Sequence, residues 1–225
     1  MFGLFRTKRD EASYKFQEIG FHGDQHLIAV VDDLVARQGV EYFIETGTNV
    51  GSTLAFFARR HPRVRALSCE PDAEAYRRAK EHVRSLDNVE LFRQRSHGFL
   101  GVLEKRPELY ARNCLFWLDA HGYGFEWPLR DEVRFVSEHF ERAFVMIDDF
   151  KVPGLDCFRY DEYQGQVCDY DHIRDALGSR PHLLFYPRYR DRTSQHHPLT
   201  GWGLIVLGAE YAVPEHLEAL VARAD

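Results

Sequence analysis

The 225-residue sequence has little cysteine, no long apolar run and no excess of positive charge. Its four cysteines, Cys69, Cys114, Cys157 and Cys168, form no Cys-x-x-Cys pair, so the common zinc and dithiol motifs are excluded. Cys69 and Cys114 fall in apolar runs and read as reduced core thiols. No apolar stretch approaches the roughly 20 residues needed to cross a bilayer. The opening MFGLFRTKRDE meets charge too soon for a secretion signal, so a cytoplasmic location is expected. With 29 basic against 35 acidic residues the net charge is -6, which gives no bulk attraction to nucleic acid or anionic lipid. The expected partner is therefore a small molecule, not a nucleic acid or a membrane, and a homo-oligomer is left open.

What is present is a regular alternation. Apolar residues make up 44% of the chain, enough for one packed α/β domain. Residues 1–24 read as a polar, mobile start, and 25–225 as a single domain. DQHLIAVVDDLVARQG has helical spacing, with Gly39 at its exit. Strands are then expected near 40–45, in VRALSCE, VELFRQ, CLFWLDA and AFVMIDD, with helices between them. CLFWLDA and AFVMIDD are nearly continuous in apolar character, as in strands buried on both faces. Residues 151–170 lack a clear period and read as an ordered excursion. HLLFYPRY and GWGLIVLG have no helix between them and form a hairpin, and PEHLEALVARA reads as a closing helix. These features predict a doubly wound, mostly parallel seven-stranded sheet with one antiparallel strand near the C-terminus. Ligands in such sheets sit outside the carboxyl ends of the strands, so chemistry is sought just after each buried strand.

The first strand runs into Glu45-Thr46-Gly47-Thr48-Asn49-Val50-Gly51-Ser52. A dinucleotide fingerprint would need glycines where Asn49 and Ser52 stand, and a P-loop would need a lysine before Ser52. What remains is acid-x-Gly-x-x-x-Gly. Glu70 closes the second strand 23 residues after Gly47, where an acid can accept both hydroxyl protons of a ribose. The bland alternatives are a tight turn that holds no ligand and an acid that caps the next helix. The acid-x-Gly-x-x-x-Gly turn resembles the first motif of class I S-adenosylmethionine-dependent methyltransferases. That resemblance implies the cofactor S-adenosylmethionine lying against Gly47, Thr48, Asn49, Gly51 and Ser52. It places Glu45 near the cationic methionine end, Glu70 on the ribose and Ser96, after the third strand, near the base.

The fourth strand ends at Asp119 and the fifth at Asp148-Asp149. Three carboxylates on one sheet edge repel unless a proton or cation lies between them, and an all-oxygen set suits Mg²⁺. The pattern resembles the metal-dependent O-methyltransferases of the catechol and macrocin types. In those families acids after strands four and five hold a divalent ion, so Asp119, Asp148 and Asp149 are the matching ligands here. The implied reaction is methyl transfer to a small-molecule hydroxyl. His121 is the candidate base, with Lys151 as runner-up. Asp119 without metal would instead face the cofactor's amino group. His196 and His197 read as a solvated loop, and Phe158, Arg159, Tyr160, Tyr163, Arg188, Arg190 and Arg192 as an acceptor pocket or plain surface. Two other readings stay open: a nicotinamide-dependent oxidoreductase on a similar sheet, and a non-catalytic module that binds a nucleoside or a partner.

Overall fold

A computed structural model describes residues 16–120, 127–191 and 198–224. Helix α1 (Gln25–Gln38) begins where the Asp24 carboxylate accepts from the amides of His26 and Leu27, and ends at Gly39, whose φ of 62° suits a residue without Cβ. Five strands alternating with four helices follow: β1 (Tyr42–Thr46), α2 (Ser52–Arg60), β2 (Arg65–Cys69), α3 (Ala73–Val83), β3 (Val89–Phe92), α4 (Ser96–Glu104), β4 (Asn113–Leu118), α5 (Leu129–His139) and β5 (Arg142–Ile147). Pro107 does end the fourth helix region, opening a separate short turn at Pro107–Leu109.

The excursion at 151–170 is a small hairpin of β6 (Glu162–Tyr163) and β7 (Gln166–Val167), turned by Gln164 and Gly165 at φ of 53° and 78°. It is tied back to the sheet edge, because the Asp161 amide donates to the Asp149 carbonyl and the Lys151 amide to the Cys168 carbonyl. Then come α6 (Tyr170–Leu177), β8 (His182–Pro187), β9 (Gly203–Leu207) and β10 (Val221–Arg223).

The main sheet has the order β10-β8-β9-β5-β4-β1-β2-β3. Strands β1 to β5 are parallel, and β9 inserts antiparallel between β5 and β8, as the hairpin reading requires. The sheet has eight strands, not the expected seven. The predicted closing helix is instead a short turn at Glu215–Leu217 followed by β10, antiparallel to β8. The outer edge of β8 offers unpaired backbone groups, and pairing there while burying Leu217 and Val221 outweighs a modest helical pattern that starts beside Pro214.

Within the stretch read as a mobile start, Gly20, Phe21, Gly23 and Asp24 are buried. Phe21 is buried edge-on against Phe43, Phe56 and Trp117, and its amide donates to the Thr53 hydroxyl. No disulfide forms among the described residues: Cys69, Cys114 and Cys168 are buried free thiols and Cys157 is exposed. Among the described residues, no helix is long and apolar enough to cross a membrane.

Candidate active site

Register alone brings the candidate residues to one rim. Thr46 is level with Cys69 on one side and Leu118 on the other, and Leu118 with Ile147. The residues that follow, Gly47, Glu70, Asp119 and Asp148, therefore form a row at the carboxyl ends of adjacent strands. Strand order reverses between β1 and β4, in the middle of that row.

The glycines are required by the fold itself. Gly47 has φ of 85°, and a side chain there would overlap the backbone carbonyl of Asp119, so the tips of β1 and β4 touch only because this residue has none. Gly51, also at φ of 85°, precedes α2 and would press a Cβ to 3.1 Å from Ala79. Glu70 is buried and fixed by two amides, with Oε2 accepting from Asn49 at 2.7 Å and Oε1 from Asp72 at 2.8 Å. The acid after β2 thus holds the turn after β1.

Glu45 is almost fully buried. Ser68 donates to it and also pairs with the Thr48 hydroxyl. Burial pushes the Glu45 carboxyl up to about 8, against the pull of Ser68 and with help from Glu70. The Ser52 hydroxyl accepts from the Gln17 amide at 3.0 Å, so it anchors the early chain across the start of α2. Ser96 opens α4 and donates to the buried carboxylate of Glu132, a residue that the sequence reading passed over as part of an ordinary amphipathic helix.

Asp119, Asp148 and Asp149 each bring a carboxylate oxygen within 4.8 Å of the others. Burial, then Asp148, Asp149, Glu45 and Asp161, push the Asp119 carboxyl well above the usual range. Asp148 is 1% exposed, and its Oδ2 lies 2.6 Å from Nε2 of His22. Burial works against charge on His22, but Asp148, Asp149 and Asp24 outweigh it and hold the imidazole up at about 9. The acids are therefore faced by an imidazolium from a chain segment 126 residues away.

On the other side Tyr163 donates to Asp161 at 2.6 Å. Burial, Asp161 and the nearby Asp149 and Asp119 all push its phenol upward. Trp127 meets Tyr163 edge-on at 5.2 Å and stacks on His172 at 4.6 Å. Trp127 Nε1 and His172 Nε2 are buried and find no hydrogen-bond partner among the described residues.

Other expected residues sit apart. Lys151 is exposed, with its ammonium 5.1 Å from the centre of the Tyr160 ring and no ion pair to the three aspartates, because the backbone turns it outward as it pairs with Cys168. His97 is exposed and pairs with Asp131. Phe158 is core, edge-on to Tyr189, while Arg159 and Arg190 are exposed and Arg188 donates to the Glu218 carbonyl. His121, Arg192, His196 and His197 lie outside the described residues.

The chain's structure is similar to that of the O-methyltransferase TomG of Streptomyces achromogenes, solved with S-adenosylmethionine, with a TM-score of 0.55 and 16% identity over 82% of this chain and 78% of that one. It is also similar to an O-methyltransferase of Bacillus cereus solved with S-adenosylhomocysteine (TM-score 0.55, 14% identity, 81% of this chain and 80% of that one). The chain has the class I methyltransferase fold. A spermidine synthase of Thermotoga maritima shares it at a TM-score of 0.52 and 12% identity, over 82% of this chain and 60% of that one. The class I methyltransferase fold therefore carries more than one group-transfer chemistry, and the site has to decide between them. No family model and no curated protein matches the sequence.

Proposed function

We propose that this chain is a cytoplasmic S-adenosylmethionine-dependent methyltransferase that acts on a hydroxyl of a small molecule with the help of Mg²⁺. The observation that carries the reading is the row of acids in register at one rim: Glu45 and Glu70 on the nucleoside side, Asp119, Asp148 and Asp149 beside them.

The residues present fit both groups. Glu70 is already pinned by backbone amides, which leaves the remaining acceptor capacity of its carboxylate for ribose hydroxyls. A side-chain-free Gly47 keeps the turn low. Three clustered carboxylates are the hard oxygen donors that Mg²⁺ prefers. S-adenosylmethionine supplies a methyl group activated on a sulfonium. A cation held by Asp119, Asp148 and Asp149 supplies Lewis acidity, which lowers the pKa of a hydroxyl placed against it.

The chain's own residues do the rest. Burial holds the Glu45 carboxyl up at about 8, and a cationic methionine end bound beside it would favour its charged form. Tyr163, held by Asp161, and Trp127 wall the acceptor side and keep its hydroxyl near the acids. His121, two residues past Asp119, is the proposed base.

Calorimetric titration with S-adenosylhomocysteine, with and without Mg²⁺, tests the reading. Binding without metal is expected, because the nucleoside side is complete on its own. Heat that appears only with Mg²⁺, or a shift in NADH absorbance on binding with no response to S-adenosylhomocysteine, would replace it with a different ligand.

A further inference from the structure

His22 comes from a part of the chain that no motif marks, yet it touches the most buried of the three acids. We propose that His22 is a positioning residue for the cation site: its Nε2–H clamps Asp148 and makes residues 16–24 a working part of the acceptor half of the cleft. This rests on the metal reading above.

Three observations carry it. The first is the contact itself, 2.6 Å to a carboxylate that is 1% exposed. The second is how His22 is held. Phe21 and His22 both sit at positive φ, 52° and 55°, a conformation that side chains resist. It is kept because the residues on either side are fixed. Phe21 fills a slot between Phe43, Phe56 and Trp117, and Asp24 caps α1 while accepting from the Tyr189 hydroxyl. With both neighbours locked, the ring of His22 is aimed at Asp148. The third is its place outside the cluster: among the described residues, the mutually close ligand atoms are those of the three aspartates. His22 therefore acts through Asp148 and is not itself a ligand.

Carboxylates that bind metals are commonly oriented by such outer hydrogen bonds. The role does not depend on the charge of the ring, because an imidazole protonated at Nε2 donates there whether or not Nδ1 also carries a proton.

Mn²⁺ binding to the full chain, followed by electron paramagnetic resonance, tests this without any need for turnover. His22→Ala should weaken Mn²⁺ binding about 10–100-fold. His22→Gln, whose amide reaches to a similar depth, should restore most of that loss. Equal affinity in His22→Ala and the unmodified protein would overturn the inference. So would tighter binding in His22→Ala, which would make the imidazolium a competitor of the cation, or a loss that His22→Gln fails to restore. An unmodified protein that binds no Mn²⁺ would remove the metal reading and this inference together, an outcome distinct from the other three.

Discussion

The two halves of the proposed site, a nucleoside side and an acceptor side, are assembled by different kinds of contact. On the nucleoside side the partners are close in sequence: Glu70 takes the amide of Asn49, 21 residues earlier, and Glu45 takes the hydroxyl of Ser68, 23 residues later. Their polar groups are satisfied by turn amides and a hydroxyl. On the acceptor side, like charges crowd together, and His22 crosses 126 residues to reach Asp148. The first half is complete before any ligand arrives. The second stores repulsion that a cation or protons must relieve.

Gly47 joins the halves, so the largest effect is expected there. Gly47→Ala must push the tip of β4 away and place alanine at φ of 85°, at a cost of about 2–4 kcal/mol. Urea unfolding should show that loss, together with loss of both S-adenosylhomocysteine and Mn²⁺ binding. Glu70→Gln should act on one half only, weakening S-adenosylhomocysteine about 10–100-fold in calorimetry while Mn²⁺ binds as before.

Asp119→Asn should do the opposite. In metal-free protein it removes a carboxyl whose charged form burial and the neighbouring acids disfavour, so the melting temperature should rise by roughly 2–4 °C, about 1 kcal/mol, while Mn²⁺ affinity falls.

A separate effect is on pH dependence. Glu45 titrates near 8 in the folded chain against an ordinary value of 4.5. Below pH 4.5 it is protonated in both states. As pH rises from 4.5 through 8 the unfolded chain gives up its proton first, so this group's contribution to stability is lost across that window. Glu45→Gln should flatten that part of the stability–pH curve. Unchanged slopes would mean that the carboxyl is not buried as described.

How much of this could be read from the sequence follows the same division. Residues near in sequence and fixed by strand ends, such as Glu45, Gly47, Glu70 and the three aspartates, were legible because a buried strand ends where its apolar run ends. The parallel order and the β8–β9 hairpin followed from spacing. β10 was not legible, because three residues pairing with a sheet edge leave almost no pattern, and Leu217 and Leu220 suggested a helix. His22 was missed since a contact across 126 residues leaves no local signature. Phe21-His22-Gly23 before the Asp24 cap was the one available hint, an aromatic residue in a stretch otherwise read as polar. Ser52 and Ser96, expected near the cofactor, carry protein partners, Gln17 and Glu132, that spacing cannot reveal.

Nuclear magnetic resonance of S-adenosylhomocysteine bound to the protein in the presence of Mn²⁺ asks directly whether the two halves share one cleft. Selective broadening of the proton signals beside the sulfur, abolished by Asp148→Asn, is the expected result. Sharp ligand signals from protein that holds both the nucleoside and Mn²⁺ would place the cation elsewhere and contradict a single site.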